Sequence, residues 1–263
     1  MRPQALTTIP AAVYVLAAYA FIYLPVIVLV IFSFQDGRLP VPPFKGVSLR
    51  WYQEVFSDSD LMEALINSVM VGVVSAALAT VLGFLAAHAL ARHRMPGAVF
   101  FQWLLMAPLS VSYLIIGIGL LITFTATGMP KSLLSVVIGH VVINLPLAFG
   151  ICYSQLGGHQ VSAERAARDL GAREWQVLAL ISVPMMWPAI AAAFFLSFTL
   201  SWDEFIVAWL VTRFDVTLPV EIWSLLRSGL DPTTNAVGTV VFAISMALVI
   251  VMELFVFRRK ARA

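Results

Sequence analysis

Charge is distributed along this chain in a way that leaves long silent runs. Ile9–Phe34 contains no charged residue, and neither does Met95–Pro130. A run of that length can cross a bilayer as a helix rising about 1.5 Å per residue. Lipid offers backbone polar groups no partner, so they must pair within the segment, and helix is the element that does this. Of 263 residues, 61% are hydrophobic and 11% are charged, against roughly 25% charged in soluble domains. The fold class this predicts is all-α, a polytopic membrane protein with one transmembrane domain over 1–263. A net charge of +2 gives no reason to expect nucleic acid. The one cysteine, Cys152, lies in an apolar run and reads as packing.

Six transmembrane helices are predicted, near Ile9–Phe34, Ala64–Ala91, Val99–Thr123, Leu133–Leu156, Met185–Val211 and Ala236–Phe257. The first is too long for the core of a signal peptide and reads as a retained helix. Pro25 is expected to kink it and Pro108 to interrupt the third. Asn144-Leu145-Pro146 is expected to break the fourth. The polar stretch after the first span, with Pro40, Pro42 and Pro43, holds an amphipathic piece at Leu49–Tyr52 suited to a membrane surface. Pro219 and Gly229 bracket a short surface helix, and Asp231-Pro232 begins a turn. His88 and His140 read as hydrogen-bonded packing residues. Trp209 and Trp223 read as interface anchors, while Trp202 lies too deep for that role.

Six spans place both termini on one side. Arg2, Arg92, Arg94, Arg165, Arg168, Arg173, Arg258, Arg259, Lys260 and Arg262 fall on that side. They are the larger share of the sixteen Lys and Arg, which puts the termini in the cytoplasm. Arg38, Lys45, Arg50, Lys131, Arg213 and Arg227 fall opposite.

The exception to the silence is Ser162–Pro188. Glu164, Arg165, Arg168, Asp169, Arg173 and Glu174 crowd together there, and such a segment has to face water or a partner. Ser162 is the expected N-cap, which puts Glu164 in the first turn. Gly171 is the expected left-handed stop, and a second helix is expected from near Arg173. The segment reads as a helix–turn–helix loop offered to a soluble protein.

Asp203 and Glu204 are the other anomaly, two adjacent acids inside the fifth span. An uncompensated carboxylate at that depth costs at least ~2.5–3.5 kcal/mol. Ser197, Ser201 and Glu204 share one helical face, and Thr199 and Asp203 the adjacent one. The stripe either faces a pathway, with Trp202 beside it, or has a structural role such as capping a helix break.

Ala166, Ala167, Gly171, Ile181 and Pro184 stand at the spacing of the EAA loop of ABC-importer permeases. Arg165 takes the place of that motif's acid and Val183 that of its leucine, and Glu164 stands one residue earlier. From Leu61 onward the chain resembles the spermidine/putrescine-type permeases of type I importers. Phe198–Phe205 is similar to their fifth-helix signature, Leu218–Ser224 to the segment before the last helix, and His140–Leu156 to the fourth helix. The resemblance implies the type I ABC importer permease fold, a family-like core over 61–257 and a cytoplasmic coupling loop over 157–183. It gives Glu164, Ala166, Ala167, Asp169, Gly171 and Ala172 the task of coupling to an ATPase. Ser201, Trp202, Asp203 and Glu204, from the polar stripe, are the residues expected along the translocation pathway.

The implied partners are a second six-helix permease, usually non-identical, two ATPase subunits and a periplasmic or extracellular substrate-binding protein, all meeting at a bacterial inner membrane. The implied cargo is a small cationic solute such as a polyamine, or another small organic solute. One departure bears on the cargo. Cation-carrying members often place an acid just after the third-helix proline, whereas Leu109, Ser110 and Val111 follow Pro108 here. No GxxxxGK[ST] loop is present, so ATP and Mg are expected on the partner ATPase and no cofactor on this chain. Two other classes compete. An intramembrane enzyme would draw on Asp203, Glu204 and His140, but no HExxH or GxSxG motif accompanies them. A carrier or channel working without an ATPase would leave the charged loop unexplained.

Overall fold

The fold comes from a computed structural model that describes residues 5–37, 44, 46–93, 95–229 and 232–260, with side chains at all of these except 5–10, 158–159, 228 and 255–260. Arg2, Arg38, Pro40, Pro42, Pro43, Lys45, Arg94, Asp231 and Arg262, invoked above for topology and turns, lie outside the described residues. The helices in order are α1 (Ala5–Ser33), α2 (Arg50–Ser57), α3 (Ser59–Arg92), α4 (Ala98–Met106), α5 (Tyr113–Thr127), α6 (Leu133–Gln155), α7 (Gly158–Asp169), α8 (Glu174–Val177), α9 (Val183–Trp202), α10 (Ile206–Val211), α11 (Leu218–Ser228) and α12 (Pro232–Lys260). Among the described residues, five helical segments are long and apolar enough to span a membrane. A sixth span is formed if α4 and α5, bent by 107° at their junction, count as one.

That bend lies where Pro108 was expected to interrupt the third span. A 3-10 turn over Ala107–Ser110 contains the proline, and Val111 is extended. The fourth span differs from expectation. α6 runs unbroken through Asn144-Leu145-Pro146. Pro146 costs the Val142 carbonyl its partner, and α6 is packed closely enough on its neighbours to stay helical there. α1 is one helix through Pro25, where a kink is expected.

The fifth span differs more. It begins at Glu174, well before the expected Met185, and runs through a π-helical turn at Leu178–Ser182 into α9. Pro184 has no N–H to give, and the wider turn just before it absorbs the misfit. The helix continues through Pro188 and stops at Trp202. Three residues, Asp203–Phe205, separate it from α10.

Contacts group the chain into two compact units, Met1–Met62 with Ile222–Met246, and Glu63–Glu221 with Ala247–Ala263. In the first, α2 docks by Trp51, whose Nε1 donates to the Gln35 carbonyl at 2.6 Å, while Tyr52 Oη and Ser33 Oγ share a 2.6 Å hydrogen bond. The amphipathic piece at Leu49–Tyr52 is thus fastened to the end of α1. Asp58 caps α3 by accepting the Asp60 and Leu61 N–H groups at 2.9 and 3.1 Å. Side chains 11–25 of α1 are exposed on every face, a surface that only lipid or another protein can cover.

In the second unit α3, α6 and α9 meet through small residues. Ala76, Ala79 and Ala87 are fully buried, and Gly83 sits so close to α6 that an added Cβ would lie 2.7 Å from the Phe149 backbone nitrogen. Small residues at such spacing let helix backbones approach closely where no hydrophobic force separates lipid from protein. Gly117 on α5 and Gly139 on α6 make a similar notch, filled by Leu210 and Val207 of α10. Gly83→Ala should lower the stability of the detergent-solubilised protein by about 1–3 kcal/mol, because the obstruction is backbone. Gly119→Ala, on the open face of α5 with nothing within 4 Å, should be neutral or stabilising. Thermal unfolding of the two variants checks the contrast.

Candidate functional site

The charged loop folds as a helical hairpin, longer than its sequence implied. α7 starts at Gly158 and not at Ser162. Gln160 reaches back to accept the Gly157 N–H at 3.0 Å, which closes the start of the helix one turn earlier. Ser162 is therefore no cap, and Glu164 lies mid-helix, beyond the reach of the helix dipole. The end is as expected. Gly171 has φ +86°, its N–H donates to the Arg168 carbonyl at 2.9 Å, and the Ala172 N–H donates to the Ala167 carbonyl at 3.0 Å. This Schellman pair satisfies the last carbonyls and turns the chain sharply. Gln176 repeats the starting device by accepting the Arg173 N–H at 2.8 Å.

Of the six residues expected to couple, five lie on the outside of the hairpin. Ala166, Asp169 and Gly171 are exposed, and Ala167 and Ala172 half-buried. Around Gly171 lies a shallow groove of about 290 Å³ lined by Ala167, Leu170, Ala172, Gln176 and Leu180 among others. Leu170 is 89% exposed beside it and Trp175 62%. An apolar rim on a charged loop marks a contact surface. Arg168 and Glu174 form an exposed bidentate pair at 2.8 and 3.0 Å. It leaves Arg165, Asp169 and Arg173 as the exposed charges.

Glu164 is the exception, with 0% exposure. Arg92 at the end of α3 donates to it from Nε at 2.6 Å and from Nη2 at 3.2 Å, and Ser182 Oγ donates at 2.9 Å. Burial pushes the Glu164 carboxyl up, but the Arg92 and Ser182 hydrogen bonds and the Arg92 charge outweigh it and hold the group below its ordinary value. Removing one partner of such a pair costs about 3–5 kcal/mol, since the other charge stays buried and alone. Neither Arg92 nor Ser182 stood out in the sequence as a functional residue. Seventy-two positions separate Arg92 from Glu164, and no local pattern joins them.

In the membrane-embedded part, the two adjacent acids point to different environments. Glu204 is buried at 5% exposure. Its carboxylate accepts the Val207 N–H at 3.0 and 3.1 Å and the Ala208 N–H at 3.2 Å. It thereby caps α10 across the break in the span. Nε2 of His140 lies 3.3 Å from the same carboxylate. His140 Nδ1 shares a 2.6 Å hydrogen bond with Ser201 Oγ, which shares a 3.0 Å bond with Ser75 Oγ. One chain of polar contacts thus ties α3, α6, α9 and α10 together. Asn144 and Ser197, a turn nearer the loop on α6 and α9, are also fully buried. Trp202 is 3% exposed and stacks on Phe198. Of the four residues expected along a pathway, Ser201, Trp202 and Glu204 therefore turn inward, and Asp203 alone is exposed. His140 is hydrogen-bonded, as expected, and His88 packs against Phe84.

The N-terminal part of α3 is tied to the start of α11 and the residues just before it. Asn67 Nδ2 donates to the Val216 carbonyl at 3.1 Å, and the Leu218 N–H donates to Ser68 Oγ at 2.7 Å. α11 itself is the surface helix that Pro219 and Gly229 bracket.

Because folding lowers the Glu164 pKa, its contribution is complete above the ordinary glutamate range and is lost as pH falls through the lower folded value. The protection of α7 against hydrogen exchange, relative to the intrinsic amide rate at each pH, should hold from neutral pH down to that range and fall only below it. Weak protection at neutral pH would contradict the Arg92 pairing. Glu164→Gln should lower protection at neutral pH and match the parent chain below the folded value.

Residues 79–261 match the family described as the binding-protein-dependent transport system inner membrane component. The chain is 34% identical over 240 residues to the spermidine/putrescine transport system permease protein PotC of Escherichia coli K12, covering 90% of each. It is 35% identical over 237 residues to the putrescine transport system permease protein PotI of the same organism, covering 87% of this chain and 84% of the relative. A solved bacterial ABC transporter involved in the import of the acidic polysaccharide alginate has a chain that superposes with TM-score 0.72 at 18% identity, over 99% of this chain and 98% of that one. A solved bacterial alginate ABC transporter in complex with alginate pentasaccharide-bound periplasmic protein has a chain that gives TM-score 0.74 at 14% identity, over 95% of this chain and 92% of that one. At such identity the likeness is one of fold, and it is the fold of an importer permease. The match over 79–261, together with two permease relatives near one-third identity, shows that this chain is a transport subunit and belongs to the family of inner membrane components of binding-protein-dependent transport systems.

Proposed function

We propose that the chain forms half of the translocation pathway of an ATP-driven importer for a small organic cation of the polyamine class. The observation that carries this reading is the divergence of Asp203 and Glu204. Glu204 is satisfied internally by backbone amides and stands beside His140. Asp203 is exposed at a break in a membrane-embedded span. A carboxylate there is tolerable only against water or a complementary charge. A cationic solute passing along a wet path supplies both. The alginate transporter moves an anion on the same fold, so the fold leaves cargo charge open and the acid has to decide it. The polyamine permeases PotC and PotI support the same class.

The complete machine in this reading has a second six-helix permease, which need not be identical. Two ATPase subunits carry ATP and Mg. A periplasmic binding protein delivers the solute and sets much of the selectivity. Both termini and the α7–α8 hairpin face the cytoplasm, where the positive residues concentrate. The hairpin meets the ATPase through its exposed face, with Leu170 and the groove around Gly171 at the centre and Arg165 and Asp169 beside them. Closure of the ATPases would drive the hairpin and switch the cavity from inward- to outward-facing.

Asp203→Asn should lower uptake of a labelled polyamine by the reconstituted importer about tenfold to a hundredfold, the loss of one charge-assisted contact. It should leave assembly with the ATPase intact. Glu204→Gln should instead destabilise the chain, because it weakens the cap on α10. Unchanged uptake by Asp203→Asn, or its failure to assemble, would mean that the acid does not face the cargo.

A further inference from the structure

Glu164 cannot be touched from outside. It is 0% exposed, and its two oxygens receive three hydrogen bonds from two other elements, the last residue of α3 and the π-helical turn that leads into α9. Ser182 also donates to the Val177 carbonyl at 3.4 Å, inside the same widened turn. Nothing of the carboxylate remains to offer a partner protein. The exposed residues of this stretch that can meet one are Arg165, Ala166 and Asp169 of α7 and Leu170 just after it.

We propose that Glu164 is a positioning residue, the pin of a rigid joint. With Arg92 and Ser182 it locks α7 to the feet of α3 and α9, so that a push on the loop reaches two spans at once. The proposal rests on the reading that α7 docks on an ATPase, and it concerns what happens after docking. A buried bidentate arginine–carboxylate pair is strong and directional, so it resists both separation and rotation. Motion travels between sites through rigid elements and hydrogen-bond networks of this kind. Single π turns inside helices are frequent at functional positions. This one supplies the hydroxyl that completes the joint.

The two driven spans meet again further in. Ser75 of α3 bonds Ser201 of α9, two residues before Asp203 at the break. α3 and α9 are therefore cross-braced at two levels, at the foot by Glu164 and near the break by Ser201. A displacement of the hairpin would reach Asp203 with little loss in side-chain slack.

The test compares transport with hydrolysis in the fully assembled importer, reconstituted in vesicles with its ATPase and solute-loaded binding protein. Glu164→Gln should keep the ATPase subunit bound and hydrolysing, while solute moved per ATP falls about tenfold, the size of a typical coupling between sites. The reversed pair, Arg92→Glu with Glu164→Arg, should recover part of that ratio, which a merely structural loss would not. Weakened ATPase binding with a normal ratio would make Glu164 a docking contact and overturn the proposal. A normal ratio with normal binding would overturn it too. Ser182→Ala removes one bond without stranding a charge and serves if Glu164→Gln fails to assemble. A several-fold drop in its ratio supports the joint, and an unchanged ratio contradicts it. If the unmodified chain binds no ATPase at all, the importer reading fails, and that result is distinct from any of these.

Discussion

A carboxylate that ends a helix in the membrane has to be satisfied from within, and the break in the fifth span depends on Glu204 meeting that condition. Three contacts from two backbone amides cap α10, and a histidine on α6 stands 3.3 Å away. Without such a cap the free N–H groups of α10 would lie unpaired in an apolar surrounding, at several kcal/mol for each lost group. Because Glu204 takes that role, the chain can stop at Trp202 and resume at Ile206. The interruption leaves Asp203 at the surface. Two neighbouring acids thus meet different surroundings, one capping a helix and the other exposed.

Around that break the packing is made of small residues. Gly117 and Gly139 leave space for Leu210 and Val207, and Gly83 lets α3 touch the backbone of α6. Close backbone contact replaces the hydrophobic drive that lipid cannot supply. It also makes α3, α6 and α9 poorly deformable, which suits the transmission of displacement proposed for the α7–α8 loop. The Arg92–Glu164–Ser182 cluster extends that stiffness to the loop itself. The Schellman turn at Gly171 then leaves Leu170 and the adjacent groove exposed without spending any of the buried contacts.

Much of this was legible in the sequence. Uncharged runs located the spans, Pro108 marked a break, and Gly171 marked the end of α7. Pro219 and Gly229 bracketed α11. What escaped did so for physical reasons. Gln160 starts α7 early through a side chain reaching backward, a contact that no apolar period records. Pro146 looked like a breaker because propensity reads one helix at a time, whereas α6 is held straight by its neighbours. Arg92 read only as a terminal charge, since its partner lies on another helix. Asp203 and Glu204 looked alike because two adjacent acids have the same chemistry. Only a helix stopping between them and their partners sends one inward and the other outward.

The most direct test of the account is to solubilise the membrane of the native host, purify this chain with everything bound to it, and identify each co-purifying polypeptide. The account predicts an ATPase subunit and a second permease in fixed ratio, with a solute-binding protein joining when its cargo is present. A chain that purifies alone, stable and without an ATPase, would contradict the importer reading and the role given to the α7–α8 hairpin.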